Sequence, residues 1–263
     1  MEKLIVIKIG GNIINDEIRL FSFLKSFASV SSNKILVHGG GNVATKIGEQ
    51  LGIESKYIDG RRITDSATID LVTMVYGGLV NKKIVAQLQA YNCNAMGVTG
   101  ADGNLVPAAK RPVKEIDFGF VGDVLSSQIK ADGWQFLLNN NLVPVVAPLT
   151  HDGKGKILNT NADTMAQEIA KALSSVYEVS LIYSFDKAGV LLNANDDSSV
   201  LSKLNPEGYK KLKEEQTIFA GMIPKLDNAF AALSSGVNKV IIGNAEQLKE
   251  LMAGTSGTTI TNE

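Results

Sequence analysis

Lysine beside paired glycines is suited to holding an anion, and this chain carries that combination early. Lys8-Ile9-Gly10-Gly11-Asn12 closes an apolar run with a compact cation and two residues that let the backbone turn sharply and offer N–H groups. His38-Gly39-Gly40-Gly41-Asn42 closes a second run and opens a helical stretch. Three glycines where a strand meets a helix N-terminus can turn unpaired N–H groups and the positive end of the dipole toward a phosphate. Neither segment is the phosphate-binding loop ending in Gly-Lys-Ser/Thr or the dinucleotide fingerprint. In Asn159-Thr160-Asn161-Ala162-Asp163, Asp163 reads as an N-cap or first-turn acid. That leaves two asparagines at spacing two, which can direct two amides to one side of an extended segment. In Gly221-Met222-Ile223-Pro224-Lys225, Lys225 falls in the first turn of a late helix. A cation there opposes the helix dipole, so an anionic ligand explains it better than open solvent does. His38 reads as a hydrogen-bonded structural residue, not a base, and no His-Asp or Ser-His arrangement is recognisable.

The elements that must position these groups alternate. Short, nearly continuous apolar segments at Leu4–Ile9, Ile35–His38, Ala95–Val98, Val143–Ala147, Val179–Tyr183 and Val237–Ile242 read as strands. Asn42–Leu51, Asp65–Tyr76, Leu79–Tyr91, Ser126–Asn139, Asp163–Leu173 and Ile223–Ser235 carry helical periodicity. That rhythm predicts a mostly parallel sheet with crossover helices, and glycine turns at the carboxyl ends of neighbouring parallel strands share the edge where such folds bind ligands. Glycine-marked polar stretches near Phe118–Asp123 and Asp152–Lys156 read as inserted hairpins, and the acidic stretch around Asn195–Ser199 as an exposed turn.

Composition narrows the partners. The chain has 263 residues, a formal net charge of −1, and a single cysteine, Cys93. No overall basic field recruits nucleic acid or an anionic membrane, and no internal disulfide or cysteine-based zinc cluster is possible. The apolar run within residues 1–9 is too short for a signal peptide core or a membrane span. The expectation is a cytoplasmic protein.

Taken together, and with Asp59-Gly60-Arg61-Arg62-Ile63-Thr64-Asp65, Gly119-Phe120-Val121-Gly122 and Gly257-Thr258-Thr259, the motifs resemble the amino-acid kinase family over nearly the whole chain. Within it they are most similar to members that phosphorylate the side-chain carboxylate of N-acetyl-L-glutamate, a step of arginine biosynthesis. The resemblance implies an open αβα sandwich with a central, mostly parallel sheet in two lobes. Residues 1–174 would hold the amino acid and a dimer interface, and residues 175–263 the nucleotide. ATP is implied as co-substrate with Mg2+, and no dedicated protein metal cage is nominated. Lys8 and Lys225 would flank the transferring phosphoryl group, with Asp163 organising them. Gly10, Gly11, Gly39, Gly40 and Gly41 would donate backbone hydrogen bonds, while Arg62, Asn159 and Asn161 would hold the acylated amino acid. The nucleotide side departs from the family's Asp-Val-Asp-Gly-like turn: here it reads Ser184-Phe185-Asp186-Lys187-Ala188-Gly189, and Ser184, Asp186, Lys187, Gly189 and Gly221 are the candidates there.

A second departure concerns the substrate. Relatives usually have an apolar residue before the arginine aligned with Arg62, whereas this chain has Arg61, one of only four arginines against twenty-two lysines. A second guanidinium suits N-succinyl-L-glutamate, with its extra carboxylate; alternatively Arg61 points away and pairs with a surface acid. A carrier-protein aminoadipate kinase and a catalytically silent nucleotide-sensing relative are the other readings. The resemblance also implies a homodimer insensitive to arginine, because arginine-inhibited members carry an additional N-terminal helix. Its interface is expected on the helix with Ile69, Val72, Met74 and Val75, residues that suit the internal core equally well.

Overall fold

The computed structural model describes residues 1–58, 60–193, 196–215, 217–218 and 222–262. Two compact units emerge, one of Met1–Lys34 with Ala166–Glu263 and one of Ile35–Met165. The sequence suggested a single boundary near residue 174. Instead, the first 34 residues join the C-terminal part, because the strand Lys3–Ile9 pairs in parallel with Glu178–Phe185 along its whole length.

In that first unit the strand order is Lys203–Leu204, Thr258–Ile260, Lys239–Asn244, Glu178–Phe185, Lys3–Ile9. All neighbours are parallel except Lys239–Asn244 with Thr258–Ile260. Val6, Ile7, Leu181 and Ile182 are buried, so side chains on both faces are covered and the strands need no polar alternation. The helix Glu17–Ala28, absent from the sequence reading, is capped by Asp16, whose side chain accepts from the Arg19 N–H at 3.0 Å. It buries Leu20, Phe23, Leu24 and Phe27, a spacing of three and four that gathers them into one apolar stripe. Pro206–Glu214, Leu248–Ala253 and the strand Thr258–Ile260 were likewise unread.

In the second unit Asn33–Val37, Val143–Val146 and Ala95–Val98 form the parallel strands, in that order. The two helices expected at Asp65–Tyr76 and Leu79–Tyr91 are one continuous run: α-helical over Ser66–Val72, π-helical over Thr73–Val80, and α-helical again over Asn81–Ala90. Gly77-Gly78 does not break the helix; the wider π turns absorb it. Both expected hairpins are present. Leu149–His151 pairs with Ile157–Asn159 around the Asp152–Lys156 turn, and Ala108–Lys110 pairs with Gly122–Val124. Both units are α/β with mostly parallel strands, the class the sequence implied.

Candidate active site

The glycine run of the second unit follows a strand whose last side chains are buried. Next to it His38 is fully buried; its Nδ1 lies 2.7 Å from the Gly39 carbonyl and its Nε2 is 3.0 Å from the Asn81 amide nitrogen. An amide N–H can only donate, so Nε2 accepts and Nδ1–H donates to Gly39. Burial holds the ring neutral by lowering its pKa from 6.5 to about 4. His38 therefore anchors the loop and is no proton acceptor for chemistry.

Gly40 precedes the helix Gly41–Gln50, and no side chain caps that N-terminus. A Cβ on Gly40 would lie 2.8 Å from the Tyr76 ring. Glycine is required there for contact, and the π-helical segment supplies the buried Tyr76 that makes it. The uncapped N–H groups open on a cavity of about 220 Å3 lined by Gly39, Gly40 and Gly41.

Arg61, Arg62 and Arg111, three of the four arginines in the chain, line this cavity. Arg62 is buried and stacks 4.7 Å above the centre of the Tyr57 ring, the residue opposite it in the two-stranded ladder. Its Nη2 donates to the Gly41 carbonyl and to Thr45 Oγ1, both at 2.9 Å, and its Nη1 donates to Ser55 Oγ. The guanidinium has five N–H groups, and these bonds occupy three of them. Arg61 is exposed, yet it lines the cavity as well.

Asn159 and Asn161 also line the cavity, although not with two equivalent amides. The side-chain oxygen of Asn161 accepts from the Asp163 and Thr164 N–H groups at 2.9 and 3.0 Å, so Asn161 caps the helix Ala162–Leu173 and Asp163 is a first-turn acid. The Asn159 amide donates to Thr64 Oγ1 at 3.0 Å. The Gly119-Phe120-Val121-Gly122 motif explains their placement. Phe120 N–H donates to the Thr64 carbonyl at 2.7 Å while its own carbonyl accepts from Asn159 N–H at 2.8 Å. That splice lays the arginine-bearing ladder beside the asparagines. Gly119 has φ +73 and faces the Thr64 carbonyl, with no room for a side chain.

The other candidates gather in the first unit. Lys8 pairs with Tyr183 in the ladder, and Ile9 with Ser184. Gly10 N–H donates to the Ser184 carbonyl at 2.7 Å, and the Asn12 amide donates to Asp186 at 2.9 Å. A Cβ on Gly10 would press on Phe185 at 3.0 Å. Lys8, Gly10, Gly11, Ser184 and Asp186 thus meet at the carboxyl edge of two parallel strands. Lys187 follows in the turn, and Lys225 stands in the first turn of Ile223–Ser234. Gly189 serves packing: a Cβ there would lie 2.7 Å from Thr258 Oγ1, which accepts from Val190 N–H at 2.8 Å. Gly221, Asp59 and Asn195 lie outside the described residues. Of the expected interface residues, Ile69, Val72 and Val75 belong to the internal core, and Met74 alone is exposed.

Tyr57, Tyr76 and Arg111 line the cavity and were not singled out from the sequence. Arg111 had a visible signal in the scarcity of arginine; the tyrosines had none, since an isolated aromatic reads as core. Among the described residues, no group of three or more His, Cys, Asp or Glu is placed to hold a metal, and no helix is long and apolar enough to cross a membrane.

An uncapped helix N-terminus beside three guanidiniums, one of them paired with Asp123, has the chemistry to hold a small anion, and the glycine-lysine edge of the first unit has the makings of a second anion site. The amino acid kinase family matches residues 3–244, and the chain belongs to it. A protein of Cytophaga hutchinsonii named acetylglutamate kinase is 56% identical over 253 residues, covering 96% of this chain and 95% of that one. The acetylglutamate kinase of Bacteroides thetaiotaomicron is 54% identical over 251 residues, covering 95% and 96%. Among solved structures, the smu.665 protein of Streptococcus mutans matches with a TM-score of 0.80 at 29% identity, covering 99% of each chain.

Proposed function

We propose that this chain phosphorylates the side-chain carboxylate of N-acetyl-L-glutamate with ATP, producing an acyl phosphate for arginine biosynthesis. The observation that carries this reading is the 56% identity to a named acetylglutamate kinase over 96% of the chain. The arginine-lined cavity supports it, because a guanidinium fork matches a carboxylate bidentately.

The acceptor carboxylate is ionised near neutral pH, so its oxygen attacks the γ-phosphorus without a base. The bond from that phosphorus to the β-bridging oxygen breaks, and ADP leaves with the electron pair. A buried, neutral His38 fits this absence of proton transfer. Rate then depends on alignment and on offsetting charge. Lys8 and Lys225 are assigned that task in the first unit, with Gly10 and Gly11 donating N–H groups there; Asp163 and the Gly39–Gly41 run are the residues assigned to it in the second. In this reading the second unit holds the acylated amino acid, and the first holds ATP through Ser184, Asp186 and Lys187. Magnesium is assigned to the nucleotide, because a donor set of lysines and backbone amides suits a metal that would arrive with its phosphates. When bound it would neutralise phosphate charge.

Cytoplasmic location and a homodimer complete the proposal; Met74 and Leu79, 59% and 52% exposed, are the apolar side chains available to an interface along that helical run. Light scattering at a monomer mass would remove the dimer. ADP release measured with N-acetylglutamate, and trapping of the acyl phosphate with hydroxylamine, test the activity. Absence of both, in protein shown to be folded, would end this reading.

A further inference from the structure

The helix Ile223–Ser234 begins without the usual fixings. Its N-cap is Met222, which has no oxygen to offer the free N–H groups, and its first turn holds no acid. Lys225 in that turn opposes the helix dipole as well. Farther along, Ala229, Ala232 and Leu233 are buried, so packing fixes the body of the helix. The first turn needs another restraint.

Its place in the fold shows why. Residues 235–238 join this helix to the strand Lys239–Asn244, on which it packs. So short a connection makes the helix run back along the strand, and its first turn comes to the strand's carboxyl end. That strand, Glu178–Phe185 and Lys3–Ile9 are parallel neighbours, so this is the edge where Lys8, Gly10 and Ser184 stand.

Tyr209, in the preceding helix Pro206–Glu214, supplies the restraint. Its ring is buried and stacks on Phe230 with centres 5.2 Å apart. Its hydroxyl donates to Asp227 Oδ1 at 2.7 Å and lies 3.3 Å from the Ile223 carbonyl. Lys213, one turn further along the Tyr209 helix, sets its Nζ 3.7 Å from the same Asp227 oxygen and 5.3 Å from the centre of the Tyr209 ring. At about 3.6 residues per turn, Ile223, Asp227 and Phe230 share one side of the helix, and Lys225 leaves from roughly the opposite side. Stacking on Phe230 needs only the ring. The hydroxyl is directed at the two residues that bracket Lys225.

We propose that Tyr209 is a positioning residue for phosphoryl transfer: through Asp227 and the Ile223 carbonyl it fixes the first turn of Ile223–Ser234, and so holds the backbone of Lys225 at the carboxyl edge of the sheet. The proposal rests on the task assigned to Lys225 in the phosphotransferase reading above. An ammonium on a flexible stem is a poor positioner by itself; fixing where the stem begins confines the charge to the place where the transferring group needs it.

Steady-state kinetics of the full chain with N-acetyl-L-glutamate and ATP test this. Tyr209→Phe keeps the ring and removes the hydroxyl. It should lower kcat about 10-fold, the scale of a catalytic group displaced by a fraction of an ångström, with KM for N-acetylglutamate within about 2-fold of wild type because the arginine cavity is untouched. On a Lys225→Met background the same substitution should lower kcat no further, whereas a purely structural role would repeat the loss in full. Asp227→Ala, at an exposed position, removes the acceptor and keeps the test valid if Tyr209→Phe folds poorly. Asp227→Asn still accepts from the phenol and should recover most of the rate. Wild-type kcat in both Tyr209→Phe and Asp227→Ala, or a loss repeated in full without Lys225, would overturn the positioning role and leave the kinase reading intact. Wild-type kcat in Lys225→Met would overturn the assignment of that lysine and the positioning role with it, and absence of turnover by folded wild type would overturn the kinase reading itself.

Discussion

The two units carry different cations beside their glycine runs. The second unit carries arginines on short strands and a hairpin, and two of them are tied down: Arg62 by Gly41, Thr45, Ser55 and the Tyr57 ring, Arg111 by Asp123. The first unit uses lysines, Lys8 at the end of a strand and Lys225 at the start of a helix, set among glycines. A planar fork held in place selects the shape of a ground-state carboxylate, whereas an ammonium on a flexible stem can follow charge as it moves. The contrast suggests that one unit recognises and the other stabilises, and it can be broken by mutation.

The largest effect is expected from the lysines. Lys8→Met and Lys225→Met should each lower kcat by about two orders of magnitude or more, as loss of a charge-stabilising group does. KM for the acylglutamate should move far less, because the arginine cavity is untouched. Asp163→Asn should be similarly impaired. Steady-state kinetics decide this: a variant whose KM rises while kcat holds would move that lysine from catalysis to binding.

How much of this was legible beforehand follows from the range of each interaction. Lys8, the glycine runs and the alternating elements declare themselves locally, through composition and period, and the structure places them at strand ends as expected. The helix Glu17–Ala28 was missed although its stripe of Leu20, Phe23, Leu24 and Phe27 is regular; attention fell on the glycines before it. Asp163 read as an N-cap or a first-turn acid and is the latter, with Asn161 as the cap; residue types alone leave the helix start open by a residue or two. Ile69, Val72 and Val75 could not be divided between core and interface, since both demand the same side chains. Arg111 entered the cavity through the pairing of two short strands, a register that only the folded chain reveals.

A smaller effect separates the units by pH. Both histidines, His38 and His151, lie in the second unit, and His38 is the one that burial keeps neutral, with a folded pKa of about 4 against 6.5. The unfolded chain binds a proton at His38 that the folded chain does not, so stability falls as pH drops below 6.5 and the loss levels off near 4. The full cost is about 3 kcal/mol. Asp65, Asp152 and Asp196 also have lowered pKa values, from hydrogen bonds to neighbouring groups, and their contribution is lost only below the ordinary carboxylate range. Denaturation between pH 6.5 and 5 therefore isolates His38. His38→Gln should flatten that slope, and an unchanged slope would show that another group carries it.

The smallest effect compares two adjacent glycines and tests whether the helix N-terminus of the second unit is shaped for a ligand or only for packing. Gly40 touches the Tyr76 ring, where a Cβ would intrude to 2.8 Å, while a Cβ on Gly39 would meet nothing within 4 Å. Gly40→Ala must therefore shift Tyr76 and the π-helical segment behind it, costing about 1–3 kcal/mol as overpacking does. Gly39→Ala has no such clash, and its effect on stability should stay within about 0.5 kcal/mol, the range of substitutions that disturb no packing. A loss of kcat/KM in Gly39→Ala at unchanged stability would then report a ligand approaching the backbone closely at that position, because no protein atom is there to be displaced. Full activity in Gly39→Ala would confine the close approach to Gly40 and Gly41, and would leave Gly39 as a spacer between the His38 anchor and the helix.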